Sequence, residues 1–334
     1  MLDALFFAAN AVLPIIVLIA FGYILKRIGL LTKEFLNVGN KLTFRVLLPV
    51  MLFYNVYNVK SLREINMGFV LYGILAVIVI FFIGIAVMCV FSKDNAKRGS
   101  LIQSVFRSNY AIIGLPLAES LFGAEGAAAA GVMSAFCVPT FNVLGVVALS
   151  IFNGSNEKGK INVGKILKGI ATNPLILGTI AGVAVLGIRE LFVMGNISFR
   201  LSDIEFLYKS IGNVKSICTP FALIVLGGRF EFSAVARLWK EIVFGTFVRT
   251  IAVPVLGLGG ALVLRATIMP ELAGEHFATY MGVFATPVAV ASAIMAKEMG
   301  ADDELAGQLV VWTSLVSAVT IFVYVTVFRV MGIF

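Results

Sequence analysis

The 334-residue chain is 60% hydrophobic and only 13% charged, with a mean hydropathy of +1.01. A soluble domain of this size does not need that much apolar surface, so composition excludes one and leaves a polytopic membrane protein. The net charge of +8 falls in short clusters between apolar stretches, a membrane pattern rather than a nucleic-acid patch or basic tail.

Ten spans follow in chain order, at 5–26, 35–57, 67–91, 99–122, 126–152, 162–187, 204–228, 238–264, 272–297 and 303–330. Most exceed the ~20 residues that cross a bilayer core. The first begins at once and carries Lys26 and Arg27 after it, so it reads as a span and not as a cleavable signal. Lys41 and Arg45 enter the second span, where snorkelling to the cytoplasmic interface is the preferred reading.

The fourth span contains the stretch to which the rest is expected to be a frame. Ser108 to Gly123 carries Asn109, Gly114 and Pro116 in mid-span. Pro116 removes a backbone donor and clashes with the carbonyl four residues back, which predicts a broken helix there. In hydrocarbon such a break is tolerated only where it is buried in protein or lines a wet cavity. The ninth span repeats the pattern over Thr279–Ser292, with Gly282 and Pro287. Paired interruptions of this kind in two halves point to a transporter's binding site. Straightening the first break by Pro116→Ala is accordingly expected to impair transport more than stability.

Between the halves, Asn153–Lys160 is a short polar linker, so the chain divides into a first five-span repeat (1–152), a linker (153–161) and a second repeat (162–334). Pro49 and Pro116 lie 67 residues apart, as do Pro220 and Pro287, and a shift of 171 overlays the halves, with a six-residue insertion past the second kink. Five spans per copy is odd, which gives the copies opposite topology. Gly178 with Gly182, and the glycines at 257, 259 and 260, read as helix packing. Cys89, Cys137 and Cys218 read as small core residues without metal-ligand spacing. Placing the N-terminus outside puts fourteen Lys and Arg on cytoplasmic connections, including Lys93, Lys97, Arg98, Lys158 and Lys160. Six then lie outside, among them Lys60, Arg63 and Arg189, so both termini are predicted external.

Charges within spans are functional hypotheses by default. Arg249 lies roughly 16 Å into the eighth span at 1.5 Å per residue. It either lends positive potential to a site or bonds carbonyls exposed by Pro254. Arg107, two residues before Asn109, either binds and gates or snorkels. Glu119 and Glu275 are the only carboxylates plausibly inside spans, and both lie toward the outer side. This excess of bases suits an anionic substrate, as do helix N-termini beginning near mid-membrane past Pro116 and Pro287. His276 reads as interfacial rather than as a proton relay. With one histidine, no deep carboxylate pair and no clustered cysteine, an intramembrane enzyme is disfavoured and neither cofactor nor metal is expected.

Asn109-Tyr-Ala-Ile-Ile-Gly-Leu-Pro-Leu-Ala-Glu-Ser-Leu-Phe-Gly123, Thr172-Asn-Pro-Leu, Arg249-Thr-Ile-Ala-Val-Pro254 and Ala285-Thr-Pro-Val-Ala resemble, in order, segments of the auxin efflux carrier family. That family includes plant auxin exporters and bacterial carriers associated with malate or malonate. The long cytosolic loop of the plant exporters is absent, and Tyr110 stands where they have Thr. The resemblance implies an all-α fold of ten helices in an inverted five-plus-five repeat, with spans four and nine crossing at their prolines. It also implies a scaffold of spans 1, 2, 6 and 7, a transport bundle of spans 3–5 and 8–10, a homodimer through the scaffold and an elevator-type motion. The expected substrate is a small organic anion carried across a cytoplasmic membrane, with a channel or ligand sensor on the same fold as the alternative. Asn109, Tyr110, Gly114, Pro116, Thr286, Pro287 and Val288 are the expected binding residues, with Arg107 and Arg249 in electrostatic support.

Overall fold

The computed structural model describes residues 2–58, 67–152 and 163–334, and every regular element among them is helical. Lys60, Arg63 and the linker with Lys158 and Lys160 lie outside the described residues. Six helical stretches among the described residues are long and apolar enough to cross a membrane: Met67–Phe91, Tyr110–Ile151, Pro174–Met194, Glu205–Arg229, Ser233–Thr267 and Asp303–Val330.

In chain order the helices are α1 (Leu2–Arg27), α2 (Lys33–Leu42), α3 (Leu48–Tyr57), α4 (Met67–Phe91), α5 (Asn95–Phe106) and α6 (Leu115–Ile151). The second half holds α7 (Val163–Thr172), α8 (Pro174–Met194), α9 (Glu205–Arg229), α10 (Ser233–Phe247) and α11 (Val253–Thr267). The last three are α12 (Gly274–Phe284), α13 (Val290–Glu298) and α14 (Asp303–Val330). Side-chain caps fix several starts by taking up otherwise orphaned N–H groups. Asp94 accepts from the Ala96 amide at 2.9 Å, Asn173 from Leu175 at 3.0 Å and Asp302 from Leu305 at 2.8 Å.

Three prolines share one local solution. Each follows a five-residue π-helical turn: Thr43–Leu47 before Pro49, Tyr110–Gly114 before Pro116 and Val248–Ala252 before Pro254. In each, the residue just before the proline donates to the carbonyl five back, as Leu115 does to Tyr110. The wider turn moves aside the carbonyl with which the ring would clash, so the chain continues as helix past the proline. This corrects the expectation of a break at Pro116. The fourth span is broken earlier, at Arg107–Asn109, where Arg107 is extended (φ −91°, ψ 97°). In the ninth span the break is at Ala285–Ala289, with Pro287 inside it.

The breaks meet. Ser108 and Val288 form an isolated antiparallel bridge, the Asn109 amide donates to the Pro287 carbonyl at 2.8 Å, and the Ala289 amide donates to that of Arg107 at 3.2 Å. Backbone groups freed by the breaks thus satisfy one another, as hydrocarbon demands. Ser108 and Val288, which pair across the breaks, lie 180 residues apart, and the positive-φ glycines Gly123 (φ +55°) and Gly300 (φ +73°) lie 177 apart, both more than the 171 that fits Pro49 to Pro220. Pro116, on the helix past its break, and Pro287, inside its break, do not occupy matching places.

Close helix contacts rest on glycine. A Cβ on Gly178 would sit 2.5 Å from the Pro49 carbonyl oxygen and one on Gly182 3.0 Å from that of Phe53, which seats α8 on α3 as the small-residue spacing predicted. Gly22 and Gly227 do the same reciprocally for α1 and α9, at 2.1 Å and 1.9 Å from the carbonyls of Ile224 and Ile19. Gly227→Val is expected to force α1 from α9 and destabilise the fold by about 1–3 kcal/mol or more, seen as a lowered melting temperature in detergent.

Candidate functional site

A cavity of about 60 Å³ lies against the crossing. One wall is Leu48, Met51 and Leu52 of α3, Leu175 of α8, and Cys218, Thr219 and Ala222 of α9. The other is the first break with the residues after it (Arg107–Ile112), Val138, Phe141 and Asn142 of α6, and Ala289–Ala291. Both helix starts after the breaks, Tyr110–Ile112 and Val290–Ala291, therefore face the cavity. Such starts present N–H groups and partial positive charge. Among the described residues, no Asp or Glu lines it.

The polar groups here are buried and under-used. Among the described residues, Ser108 Oγ, Asn109 Nδ2 and Asn142 Nδ2 find no hydrogen-bond partner, although these residues are only 3%, 4% and 2% exposed. Buried donors left unmade are costly, and a ligand is one explanation for keeping them. Asn109 is the residue before the π-helical turn, yet its side chain does not cap it, which leaves the amide free for the cavity. Arg107 is buried and makes no ion pair among the described residues; its guanidinium donates to Gln103 Oε1 at 2.9 Å and Asn142 Oδ1 at 2.7 Å and touches Met295 Sδ. Those partners rule out the snorkelling alternative.

The expected site residues separate into two groups. Asn109 and Tyr110 line the cavity, together with Arg107. Tyr110 also anchors its turn by donating its hydroxyl to the Ala130 carbonyl at 2.9 Å. Gly114, Thr286, Pro287 and Val288 do not line it and instead build the crossing. A Cβ on Gly114 would lie 2.9 Å from the Gly282 Cα, so the two glycines let the helices touch. Thr286 bonds the Gly282 carbonyl at 2.7 Å, and the Val288 amide donates to Thr313 Oγ1 at 3.1 Å. Pro116 is exposed on the outside of the bundle, away from the cavity. Pro116→Ala is therefore expected to leave uptake within about twofold, matching the ~0.5 kcal/mol of an ordinary surface change; parallel flux assays with the cavity variants check this.

Arg249 is fully buried and does not line the cavity. It bonds carbonyls, but those of Val105, Val283 and Thr286 and not ones exposed by Pro254. Asn142, Ser108 and Gln103 were not foreseen from the sequence. A lone Asn in an apolar span is a recognisable signal, and Asn142 follows Pro139 by three residues. Lys41 and Arg45 are exposed, consistent with snorkelling.

A second cavity, of about 300 Å³, lies further along α9 and α13 and is polar, lined by residues including Asn40, Arg229, Lys297, Asp303 and Gln308. On its wall Arg229 pairs with Asp303, and Asn40 Nδ2 donates to Glu298 at 2.8 Å.

The sequence matches the family described as "Membrane transport protein" over residues 7–325, and the chain belongs to that family of carriers, the auxin efflux carriers. It is similar to an uncharacterized transporter of Methanocaldococcus jannaschii, 26% identical over 224 residues that make up 65% of this chain and 67% of the relative. It is also similar to an uncharacterized transporter of Methanothermobacter thermautotrophicus, 22% identical over 317 residues, 94% of this chain and 96% of that one.

Proposed function

From membership of that family we infer that the chain is a carrier of small organic anions, mono- or dicarboxylates such as malate or malonate, bound at the cavity beside the crossing. The observation that carries this reading is the cluster of Arg107, Ser108, Asn109 and Asn142, buried around a cavity with no carboxylate on its walls. The Arg107 guanidinium charge, the unpaired Nδ2 donors of Asn109 and Asn142 and two helix starts form a donor-rich surface that a carboxylate complements. A volume of about 60 Å³ holds on the order of four to six water-sized groups, which supports a short acid over an indole ring.

The proposed arrangement is ten spans in an inverted repeat. Several are composite: α5 with the start of α6, α7 with α8, and α12 with α13. The cavity's two walls support a division into a scaffold (spans 1, 2, 6 and 7) and a transport bundle (spans 3–5 and 8–10), moving past each other in elevator fashion. The excess of basic residues on one side supports external termini. In that orientation the larger polar cavity, at the Arg229 and Lys297 ends of α9 and α13, is the cytoplasmic approach to the site. Assembly as a homodimer through the scaffold completes the proposal.

The test is uptake into proteoliposomes across malate, malonate, succinate, lactate and indole-3-acetate, at controlled potential. Saturable flux of a short carboxylate is the expected result. Flux that does not saturate at thousands per second or more indicates a channel, and silence from folded protein across the panel rejects the carboxylate assignment.

A further inference from the structure

Arg249 is 0% exposed and pairs with no carboxylate among the described residues. Its Nε donates to the Thr286 carbonyl at 2.8 Å, one terminal nitrogen to the Val105 carbonyl at 3.0 Å and the other to the Val283 carbonyl at 3.1 Å. Val105 lies in the last turn of α5 and Val283 in the last turn of α12, while Thr286 is in the break itself. The crossing is thus electrically divided. The starts of the second half-helices face the cavity, and the ends of the first half-helices, which carry partial negative charge and unfilled carbonyls, converge on one guanidinium. In carriers built on broken helices, unwound carbonyls and half-helix ends of this kind coordinate a coupling cation.

We propose that Arg249 is a resident cation, filling with its own guanidinium the place in the crossing where a cation-coupled carrier would hold a metal ion. The carrier then moves its anion without a metal cation bound at the crossing. The guanidinium also holds the two broken helices in register, since its three bonds reach from α10–α11 to both breaks. Arg249 is a positioning residue: it acts through the crossing and does not touch the cavity. The role in transport rests on the carboxylate reading, but occupancy by a cation does not, and the two can be tested apart.

The experiment measures thermal unfolding of purified wild type, Arg249→Ala and Arg249→Lys in choline chloride, with sodium, lithium, potassium or millimolar guanidinium added. Wild type and Arg249→Lys are expected to show no saturable response to any of these ions. Arg249→Ala is expected to melt several degrees lower in choline and to be restored saturably by guanidinium or by sodium. Two results overturn the proposal: a saturable sodium response in wild type, or folded Arg249→Ala that responds to no cation. Where Arg249→Ala does not fold in any salt, Arg249→Gln, which keeps donors but no charge, is read by the same criteria. With any acid that wild type carries, uptake by the neutral variant is expected to become cation-dependent. A silent acid panel would remove the carboxylate reading and leave the melting result to decide this one.

Discussion

Saturable uptake of the carried acid is expected to fall about a hundredfold or more in Arg107→Gln, chiefly as a raised KM. Among the described residues, Arg107 is the one positive charge on the cavity wall, held by Gln103 and Asn142 and facing no carboxylate. On the proposed reading its neutralising partner is the substrate. Removing one member of such a pair costs about 2–5 kcal/mol, a factor of roughly thirty to several thousand. Glutamine keeps a donor but is shorter and uncharged, so Arg107→Lys, which keeps the charge, separates loss of charge from loss of reach. Arg107→Lys retains the charge but not the planar fork and should fall between the two. Near-normal uptake in Arg107→Gln would sink the assignment of this cavity as an anion site.

Asn109→Ala is expected to cut uptake by about ten- to a hundredfold, the equivalent of one hydrogen bond to a charged group at ~1.5–3 kcal/mol. Its effect on the empty protein should have the opposite sign. The Asn109 amide nitrogen is buried without a partner, so deleting it relieves a desolvation cost and leaves melting unchanged or slightly raised. The backbone contacts of residue 109, to the Pro287 carbonyl and from the Ile113 amide, survive the substitution. The measurement is a pair of melting curves with and without acid. The wild type should gain stability on binding, and the variant should lose that gain while keeping its own fold. A variant that melts far lower without ligand would instead mark Asn109 as structural.

Much of this was legible in the residues. Apolar runs gave the membrane class, because hydrocarbon leaves the backbone few options. The packing role of Gly178 and Gly182 and the interest of Asn109 also follow from local chemistry. The break points did not. Pro116 and Pro287 look alike in sequence, yet Pro116 is absorbed by a π-helical turn and lies on the exterior, whereas Pro287 sits in the gap itself. Whether a proline breaks a helix depends on whether the preceding turn can widen, and that is settled by what the turn packs on. Tyr110, anchored on Ala130, fixes the turn here. Asn142 was missed because its role depends on α6 folding back beside the break, a contact 35 residues distant in sequence from Arg107.

The backbone pairing of the two breaks bears on how the chain is made. The residue 107–109 gap leaves the ribosome about 180 residues before its partners at 287–289, which at ~5–20 residues per second is a delay of about 9 to 36 s. Throughout that interval the first half has a charged arginine and unpaired peptide groups in a nascent hairpin that lipid cannot solvate. Arg249 emerges before the ninth span, so the Val105 carbonyl can be claimed first and the rest later. Biogenesis of the first half therefore calls for a polar shelter, from the insertion machinery or trapped water, until the second half arrives to replace it.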